Sequence, residues 1–408
     1  TALVDTMRKT KSSVKQLFIP GMLFENMGLT YLGPVDGHNM RQMMKLFNEA
    51  KRVEGPVVVH VLTKKGRGYE PASAHPDRFH GTGPFDIKTG RVLQKKTVPG
   101  YTDVFSKALV SLGEKNKKLT AITAAMPDGT GLVEFSRRFP DRFFDVGIAE
   151  EHAVSFAAGL ALGGLVPVVA IYSSFLQRAI DQILHDVCMQ KLHVIFAVDR
   201  AGLVGADGET HQGCFDLSYL SMMPNMTVLA PKNDRELEEM LAFAVSFDGP
   251  IAIRYPRGSA HQGLQEYQAP VEYGRSEIIR KGKKIAVLGV GSMIPSCMEI
   301  CKGLKDDGYD PTFVNARFVK PLDVDLLDEL AKDHSLFVTV EENVKSGGYG
   351  EHVSAYMEAC HPEIRVLSAA VWDRFVPQGN VESLRSRIGL GVEDIRQAIE
   401  DSEELREQ

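Results

Sequence analysis

The chain has 408 residues, of which 44% are hydrophobic and 25% are charged, and its formal net charge is -6. This length is too great for one hydrophobic core and predicts two or three domains. The acidic balance excludes a broad basic surface for nucleic acid, and no apolar run is long enough to predict a membrane span or a signal peptide. Five cysteines without a paired CxxC spacing predict reduced thiols rather than disulfides or a zinc site.

The first segment, residues 1–97, has the pattern of the end of a larger domain followed by a linker. A helical pattern near Met40–Val53 precedes an apolar strand at 56–63, and a long stretch rich in Pro, Gly, Asp and His follows at 71–90. One strand and one or two helices cannot form a domain. Because the chain also opens at Thr1 in a polar stretch, we expect a preceding part of this domain to be missing.

The second segment, 98–262, alternates apolar strands with amphipathic helices. The predicted strands are LTAIT, VPVVAIY, LHVIFAVD, MTVLAP and PIAIRYP, and the predicted helices lie at 102–114, 150–162, 177–190 and 234–245. The third segment, 275–408, repeats the alternation from KIAVLGV to a C-terminal helix. This pattern predicts an α/β fold with parallel sheets that are covered by helices on both faces.

Candidate binding residues follow four of the strands predicted in the second segment. In open parallel sheets, ligands bind beyond the carboxyl ends of the strands. The residues that follow these strands are Met126, Ser173, Ser174, Phe175, Arg200 and Arg257, together with the polar loop AGLVGADGETHQG. Four such strand ends favour a binding site over a chance collection of polar residues.

Glu150 is the single most informative residue. Its carboxylate shares the apolar face of a predicted helix, because four apolar residues follow it at helical spacing: Ala153, Val154, Ala157 and Ala161. A buried carboxylate is costly unless it is paired or used in chemistry. The alternative is a carboxylate of the first helical turn that favours the helix dipole and points to solvent. Helical phase alone does not separate these two interpretations.

Arg200 and Arg257 follow neighbouring predicted strands and fit a clamp for a phosphate or a carboxylate. Surface salt bridges are the simpler alternative for both arginines. Asp207 and His211 lie in the glycine-rich loop, where they could act only as turn residues. A long loop that carries this set of polar side chains nevertheless favours function.

Several motifs resemble those of the 1-deoxy-D-xylulose-5-phosphate synthase family of transketolase-like enzymes. They are YLGPVDGHN, TKKGRGYEPA and FHGTGPFD in the first segment, FFDVGIAEEHAVSFAAGLALGG, AIYSSFLQRAIDQILHDV, DRAGLVGADGETHQGCFDLSYL and IAIRYPRG in the second, and EENVKSGGYGEHV in the third. The resemblance covers essentially the whole chain. It implies the tail of a diphosphate-binding domain at 1–97, a pyrimidine-binding domain at 98–262 and a transketolase-type C-terminal domain at 275–408.

The resemblance also implies a reaction, in which pyruvate condenses with D-glyceraldehyde 3-phosphate and carbon dioxide is released. The product, 1-deoxy-D-xylulose 5-phosphate, would feed isoprenoid, thiamine and pyridoxal biosynthesis. The cofactor would be thiamine diphosphate, which carries the carbanion chemistry while the protein orients it. The implied catalytic residues are Glu150, His211, Asp207 and His80; the implied cofactor-binding residues are Tyr69, Glu150, Phe175 and Met126; the implied substrate-binding residues are Tyr172, Arg178, Arg200 and Arg257.

One feature of the family is missing from this sequence. Members hold the diphosphate through Mg²⁺ with a GDG motif and a later Asn, and this chain contains no GDG. We therefore expect no metal ligands in this chain and little or no activity unless a preceding segment is supplied. The resemblance further implies a homodimer in the bacterial cytoplasm, or in the plastid stroma of a plant.

Two other functions are consistent with the sequence. One is a different transketolase-like enzyme, such as a transketolase or the β-subunit of a 2-oxo acid dehydrogenase. The other is a non-catalytic fragment that acts in dimerisation or regulation, which the absence of GDG supports. The joint presence of Glu150, Arg200, Asp207, His211 and Arg257 favours an enzyme.

Overall fold

The computed structural model describes residues 22–76, 78–93 and 98–402. The polar opening stretch that suggested a missing segment lies outside these residues, as does the end of the acidic tail. The chain divides into two compact units, residues 1–97 and 98–408.

In the first unit a short helix, α1 (Met22–Asn26), precedes two parallel strands, β1 (Thr30–Asp36) and β2 (Val57–Leu62), and helix α2 (Met40–Ala50) connects the strands. The predicted strand and helix are both confirmed, with α2 ending before the expected Val53. No residue of α2 is buried. The sheet in the described part of this unit has only two strands, and such a sheet cannot form a core without further elements.

The second unit contains two sheets, and their strands follow the predicted alternation. The strands are β3 (Leu119–Thr123), β4 (Phe143–Asp145), β5 (Val166–Tyr172), β6 (Ile195–Asp199), β7 (Thr227–Leu229), β8 (Ile251–Arg254), β9 (Glu277–Arg280), β10 (Lys284–Gly289), β11 (Thr312–Asn315), β12 (Phe318–Lys320), β13 (His334–Val344) and β14 (Arg365–Val371). The larger sheet has the order β12-β7-β8-β6-β5-β3-β4, and the smaller has the order β14-β13-β10-β11-β9. The predicted parallel α/β fold is confirmed.

Helices lie between these strands, as the amphipathic patterns predict. After α3 (Glu70–Ala74) in the first unit come α4 (Tyr101–Lys115), α5 (Val133–Arg138), α6 (Glu150–Leu162), α7 (Ser173–Leu176), α8 (Asp216–Ser221), α9 (Asp234–Ser246), α10 (Ile294–Asp306), α11 (Val324–Leu330), α12 (Tyr349–Cys360), α13 (Val381–Arg387) and α14 (Val392–Glu400). No described helix has the length and apolar character that crossing a membrane requires.

Several local features differ from the sequence prediction, which also lacked strands β1, β4 and β9 and helices α5 and α8. The helix expected at 177–190 begins at Ser173, directly after β5, and continues beyond α7 as a 3₁₀ turn, a short α turn and a π turn that ends at Cys188. The single C-terminal helix is two helices, α13 and α14. Strand β12 was not predicted; it leaves the third segment and pairs antiparallel with β7, which extends the larger sheet.

The two sheets share a buried hydrophobic cluster, to which both the second and the third segment contribute. A buried ionic cluster also joins these two segments, with Lys232 and Glu236 from the second and Glu277 and Arg317 from the third. The Lys232 ammonium donates to Glu277 at 2.6 Å and to Glu236 at 3.1 Å. The Arg317 guanidinium lies 3.0 Å from both carboxylates. The two segments are therefore packed as one body.

Candidate active site

Four neighbouring parallel strands deliver the predicted residues to one edge of the larger sheet. The strands β8, β6, β5 and β3 are consecutive in the sheet and parallel to one another. Arg257, Arg200 and Met126 follow the carboxyl ends of β8, β6 and β3, and Tyr172 is the last residue of β5. The lateral order of these strands therefore brings together residues that are far apart in the sequence.

Glu150 begins helix α6 and is almost completely buried, with 1% of its surface exposed. Ala153, Val154 and Ala157 on the same face are buried as well. The interpretation in which the Glu150 carboxylate points to solvent is therefore wrong. Its neighbour Glu151 is exposed, as the helical phase requires.

Arg178 pairs with the buried carboxylate. Its guanidinium donates a hydrogen bond to Glu150 Oε1, and its central carbon lies 5.0 Å from the centroid of the Phe175 ring. About half of the Arg178 side chain is exposed. The arginine thus bridges the acid and the aromatic ring that the resemblance assigns to the same cofactor.

Phe175 lies at the centre of an aromatic group. Its ring centroid is 5.4 Å from that of Tyr172 and 5.4 Å from that of His211, which meets it edge-on. The Nδ1 atom of His211 is 2.9 Å from the Thr210 hydroxyl. The structure therefore brings His211 of the polar loop to the end of strand β5, as a shared binding site requires.

Arg200 is held by three contacts at the end of β6. Its guanidinium lies over the Tyr172 ring, 3.6 Å from the centroid. It donates to the Gly129 carbonyl at 2.8 Å and lies 3.3 Å from the Asp199 carboxylate. A Cβ atom at Gly129 would overlap the Tyr172 hydroxyl, so this close approach requires glycine. The backbone of Arg200 itself has a φ of +59°.

Asp199 was missed by the sequence prediction. It is completely buried, and its Oδ2 atom accepts a hydrogen bond from the Thr102 hydroxyl at 2.9 Å. Burial raises the pKa of this carboxyl to about 6, against the opposing effect of the Arg200 charge. The available signal was an aspartate at the end of an otherwise apolar strand, VIFAVD.

Arg257 and Asp207 form an ion pair at 2.9 Å, and each side chain is nearly half exposed. Their charges also affect Tyr172, whose hydroxyl has a pKa that burial raises. Arg200 and Arg257 lower this pKa, and Asp199 and Asp207 raise it. The two predicted arginines therefore lie near one tyrosine. Each already has a carboxylate partner, so neither is a simple free cation.

The polar loop between β6 and α8 is closed at its base by a pair of glycines. The N–H of Gly213 donates to the Gly202 carbonyl at 2.8 Å, and the reverse hydrogen bond is also present. The buried Gln212 side chain binds within the loop and to residues near 376. A cavity of about 890 Å³ borders this base and is lined by Arg257, His261 and Arg385, among others. Gln212 had no signal in the sequence beyond its place next to His211.

The remaining predicted residues have local partners. In the first unit, the Tyr69 hydroxyl donates to the Ile87 carbonyl at 2.8 Å, and its ring packs against Phe79 and Phe85. His80 is exposed and contacts the Lys65 ammonium at 3.0 Å. In the second unit Met126 is half-buried. Their roles toward cofactor and substrate stay predictions.

Within the described residues, no group of three or more His, Cys, Asp and Glu side chains has an arrangement that could hold a metal ion. The cysteines at 188, 214, 297, 301 and 360 are free thiols.

Three family models match this chain. The pyrimidine-binding domain of transketolase matches residues 98–262, the transketolase C-terminal domain matches residues 274–395, and the 1-deoxy-D-xylulose-5-phosphate synthase model matches residues 1–63. A solved split-gene transketolase, described as an inactive β4 tetramer, is 30% identical with a TM-score of 0.66. The similarity covers 75% of this chain and 98% of that one.

The chain belongs to the transketolase family. The resemblance to its 1-deoxy-D-xylulose-5-phosphate synthase branch is confirmed by curated relatives with that name. The relative from Lachnoclostridium phytofermentans is 54% identical over 395 residues, and that from Natranaerobius thermophilus is 50% identical over 396 residues. The chain spans 63% of the length of each of these two relatives. A transketolase from Campylobacter jejuni, 16% identical with a TM-score of 0.62, shares the fold.

Proposed function

We propose that this chain supplies the pyrimidine-side and acceptor-side residues of a thiamine-diphosphate-dependent transferase that condenses pyruvate with D-glyceraldehyde 3-phosphate. The observation that carries the proposal is the buried Glu150 carboxylate, which Arg178 bridges to the Phe175 ring. The curated relatives support the choice of substrates within the transketolase family.

The residues around Glu150 fit an aminopyrimidine ring. A buried carboxylate can hold a proton shared with a ring nitrogen, and an aromatic face can stack on the ring. Glu150 and Phe175 would hold the cofactor in this way, with Met126 as a further cofactor-binding residue. When bound, thiamine diphosphate supplies the carbanion chemistry of the condensation.

The acceptor aldehyde carries a phosphate, which suits two guanidinium groups. Arg200 and Arg257 would bind its oxygens, and the phosphate would replace the Asp207 carboxylate as the partner of Arg257. Tyr172 would fix the orientation of Arg200, on which its ring stacks. His211 would donate a proton from its imidazole to the oxygen of the reacting aldehyde, with Asp207 as a further polar group.

Magnesium, a homodimer and a cytoplasmic location belong to the same proposal. Mg²⁺ would bind the diphosphate through ligands in a preceding segment, because this sequence has no GDG motif. We propose that the chain needs such a segment for activity, in line with the share of its relatives that it spans.

The proposal is tested by assaying carbon dioxide release from pyruvate and D-glyceraldehyde 3-phosphate, with thiamine diphosphate and Mg²⁺ present. The chain is assayed alone and with the upstream part of the Lachnoclostridium phytofermentans relative supplied as a separate protein. We expect activity only in the second case. We expect Glu150→Gln to lower the turnover by about 100-fold or more, because an amide cannot share the ring proton.

Glu151→Gln is the matched control, since Glu151 is the exposed neighbour on the same helix. It should leave turnover and calorimetric binding of thiamine diphosphate unchanged. Use of a ketose donor in place of pyruvate would favour a transketolase instead. If no combination binds the cofactor, the non-catalytic module is the better description.

A further inference from the structure

The side chain of Gln212 joins the polar loop between β6 and α8 to the C-terminal part of the chain. Only 3% of the residue is exposed. Its Oε1 atom accepts hydrogen bonds from the backbone N–H groups of Val204 at 2.7 Å and Gly205 at 3.3 Å. Its Nε2 atom donates to the carbonyls of Pro377 at 3.1 Å and Val376 at 3.4 Å. One amide therefore uses both its acceptor and its donor to connect two distant segments.

Backbone contacts of the residues that precede Gln212 connect the same two segments. The N–H of Gly379 donates to the carbonyl of Gly205 at 3.2 Å. A Cβ atom at Gly205 would lie 2.7 Å from the Gly379 carbonyl oxygen, and one at Gly208 would lie 3.4 Å from Gln378. The loop is therefore in van der Waals contact with the turn at 376–380 along the stretch that carries Asp207.

A third contact holds the base of the loop. The carboxylate of Glu342, in strand β13, lies so close to Gly202 that a Cβ there would overlap it. This buried carboxylate accepts hydrogen bonds from Arg385 Nε at 2.7 Å and from the Ser292 hydroxyl at 2.8 Å. Arg385 lies on helix α13, which begins directly after the turn at 376–380. The loop base thus contacts strand β13 and the loop body contacts the turn before α13, and Arg385 connects these two elements through Glu342.

We propose that Gln212 is a positioning residue, through which the C-terminal part of the chain sets the placement of Asp207 and His211 toward the acceptor substrate. This inference rests on the proposed function. Asp207 and His211 lie on the segment that Gln212 closes, and Asp207 holds Arg257. A loop that loses its connection to the turn would sample several positions, and misplaced polar groups weaken binding of the acceptor more than that of the donor.

Glutamine is the suitable residue because a neutral amide offers a donor and an acceptor at once. Gln212→Glu keeps the shape and the acceptor, but it places a carboxylate oxygen against two carbonyl oxygens. Gln212→Leu keeps the approximate volume and removes all four hydrogen bonds. Gln212→Glu therefore loses only the connection to the turn, whereas Gln212→Leu also loses the hydrogen bonds within the loop.

The test uses the assembly that is active in the carbon dioxide assay. We expect Gln212→Glu to raise KM for D-glyceraldehyde 3-phosphate by about 10- to 100-fold, while KM for pyruvate changes by less than about 3-fold. We also expect amide hydrogen exchange in residues 203–211 to become at least about 10-fold faster, with exchange in strand β10 unchanged. A merely structural glutamine would not split the two KM values.

Ser218→Ala is the matched control. The Ser218 hydroxyl donates to the Ser346 carbonyl at 2.6 Å and accepts from Asn343 at 2.8 Å, so it joins the same two parts of the chain away from the loop. It should change neither KM nor the exchange of 203–211. If Gln212→Leu fails to fold, Gln212→Glu carries the test.

A folded Gln212→Glu variant with unchanged exchange and unchanged acceptor KM would overturn the inference. So would an equal loss for both substrates. Failure of the proposed function looks different, because the unsubstituted assembly would then not turn over pyruvate at all. In that case faster loop exchange in Gln212→Glu would support the connection to the turn and overturn its role toward the acceptor.

Discussion

Glu150 and Asp199 are two buried carboxylates of the candidate site with different surroundings. Glu150 is the first residue of the long helix α6, and it pairs with the half-exposed guanidinium of Arg178. Asp199 accepts from the Thr102 hydroxyl and lies beside Arg200, and its Oδ1 atom has no hydrogen-bond partner in the described structure. At Asp199 burial outweighs the nearby Arg200 charge and raises the pKa of the carboxyl.

The raised pKa of Asp199 predicts that the stability of the fold depends on pH. The pKa of Asp199 is about 6 in the folded protein and 3.8 ordinarily, so the folded state binds the proton more tightly than the unfolded chain. The resulting stabilisation is present below pH 4 and is lost as the pH rises through 6, by roughly 3 kcal/mol at most. Asp199→Asn should remove this loss, measured as the difference between variant and parent in urea unfolding at pH 4.5 and 7.5.

Glu151→Gln serves as the reference, because Glu151 is exposed and should not change the pH slope. An Asp199→Asn variant whose stability falls with pH as steeply as that of the parent would show that Asp199 is ionised throughout this range.

At the scale of elements, the arrangement of Tyr172 and Arg200 depends on a turn that follows a different strand. Gly129 lies after β3, its carbonyl accepts from Arg200, and its missing side chain leaves room for the Tyr172 hydroxyl. Three neighbouring strands of the sheet therefore meet at one glycine. Their register, rather than any local sequence pattern, creates this contact.

Gly129→Ala should disrupt this arrangement while the sheet stays intact. The new methyl group must displace Tyr172, and with it the guanidinium of Arg200, because the Tyr172 hydroxyl occupies the same space. We expect KM for D-glyceraldehyde 3-phosphate to rise by on the order of 10-fold or more, with little change in cofactor binding. Steady-state kinetics of the active assembly measure this.

Gly159→Ala is the control for this prediction, since Gly159 lies in α6 and a Cβ there meets no atom within 4 Å. That substitution should leave acceptor KM unchanged. An unchanged acceptor KM in Gly129→Ala as well would mean that Arg200 does not bind the acceptor phosphate.

At the scale of the whole molecule, the buried ionic cluster joins the pyrimidine-binding and C-terminal parts of the second unit. Two cations, Lys232 and Arg317, share two carboxylates, Glu236 and Glu277, and Asn315 donates to both acids. Such a cluster is stable only when it is complete, because each buried charge depends on the others for compensation.

Removing one carboxylate should destabilise the whole second unit. In Glu277→Gln, Lys232 and Arg317 would share one remaining acid, so we expect a loss of about 3–5 kcal/mol in the free energy of unfolding. Chemical denaturation at pH 7 measures it. Glu272→Gln, an exposed position on the preceding turn, should change stability by less than about 0.5 kcal/mol. A small effect at Glu277 would mean that the cluster is solvated.

Much of this structure could be predicted because burial leaves a local trace in the sequence. The strands β3, β5 and β10 are mostly apolar and were predicted almost residue for residue, and the phase of α6 placed Glu150 on its buried face. β12 is only three residues long, and the break in the helix after Leu176 leaves no clear periodicity, so both were missed.

The sequence by itself determined the alternation of strands and helices, the family motifs and the candidate acid. Only the tertiary structure decided which residues meet: Thr102 with Asp199, Gly129 with Arg200, and Gln212 with Pro377. The physical reason is that periodicity reports how each segment is buried, whereas the lateral order of strands and the packing of loops depend on contacts between distant segments.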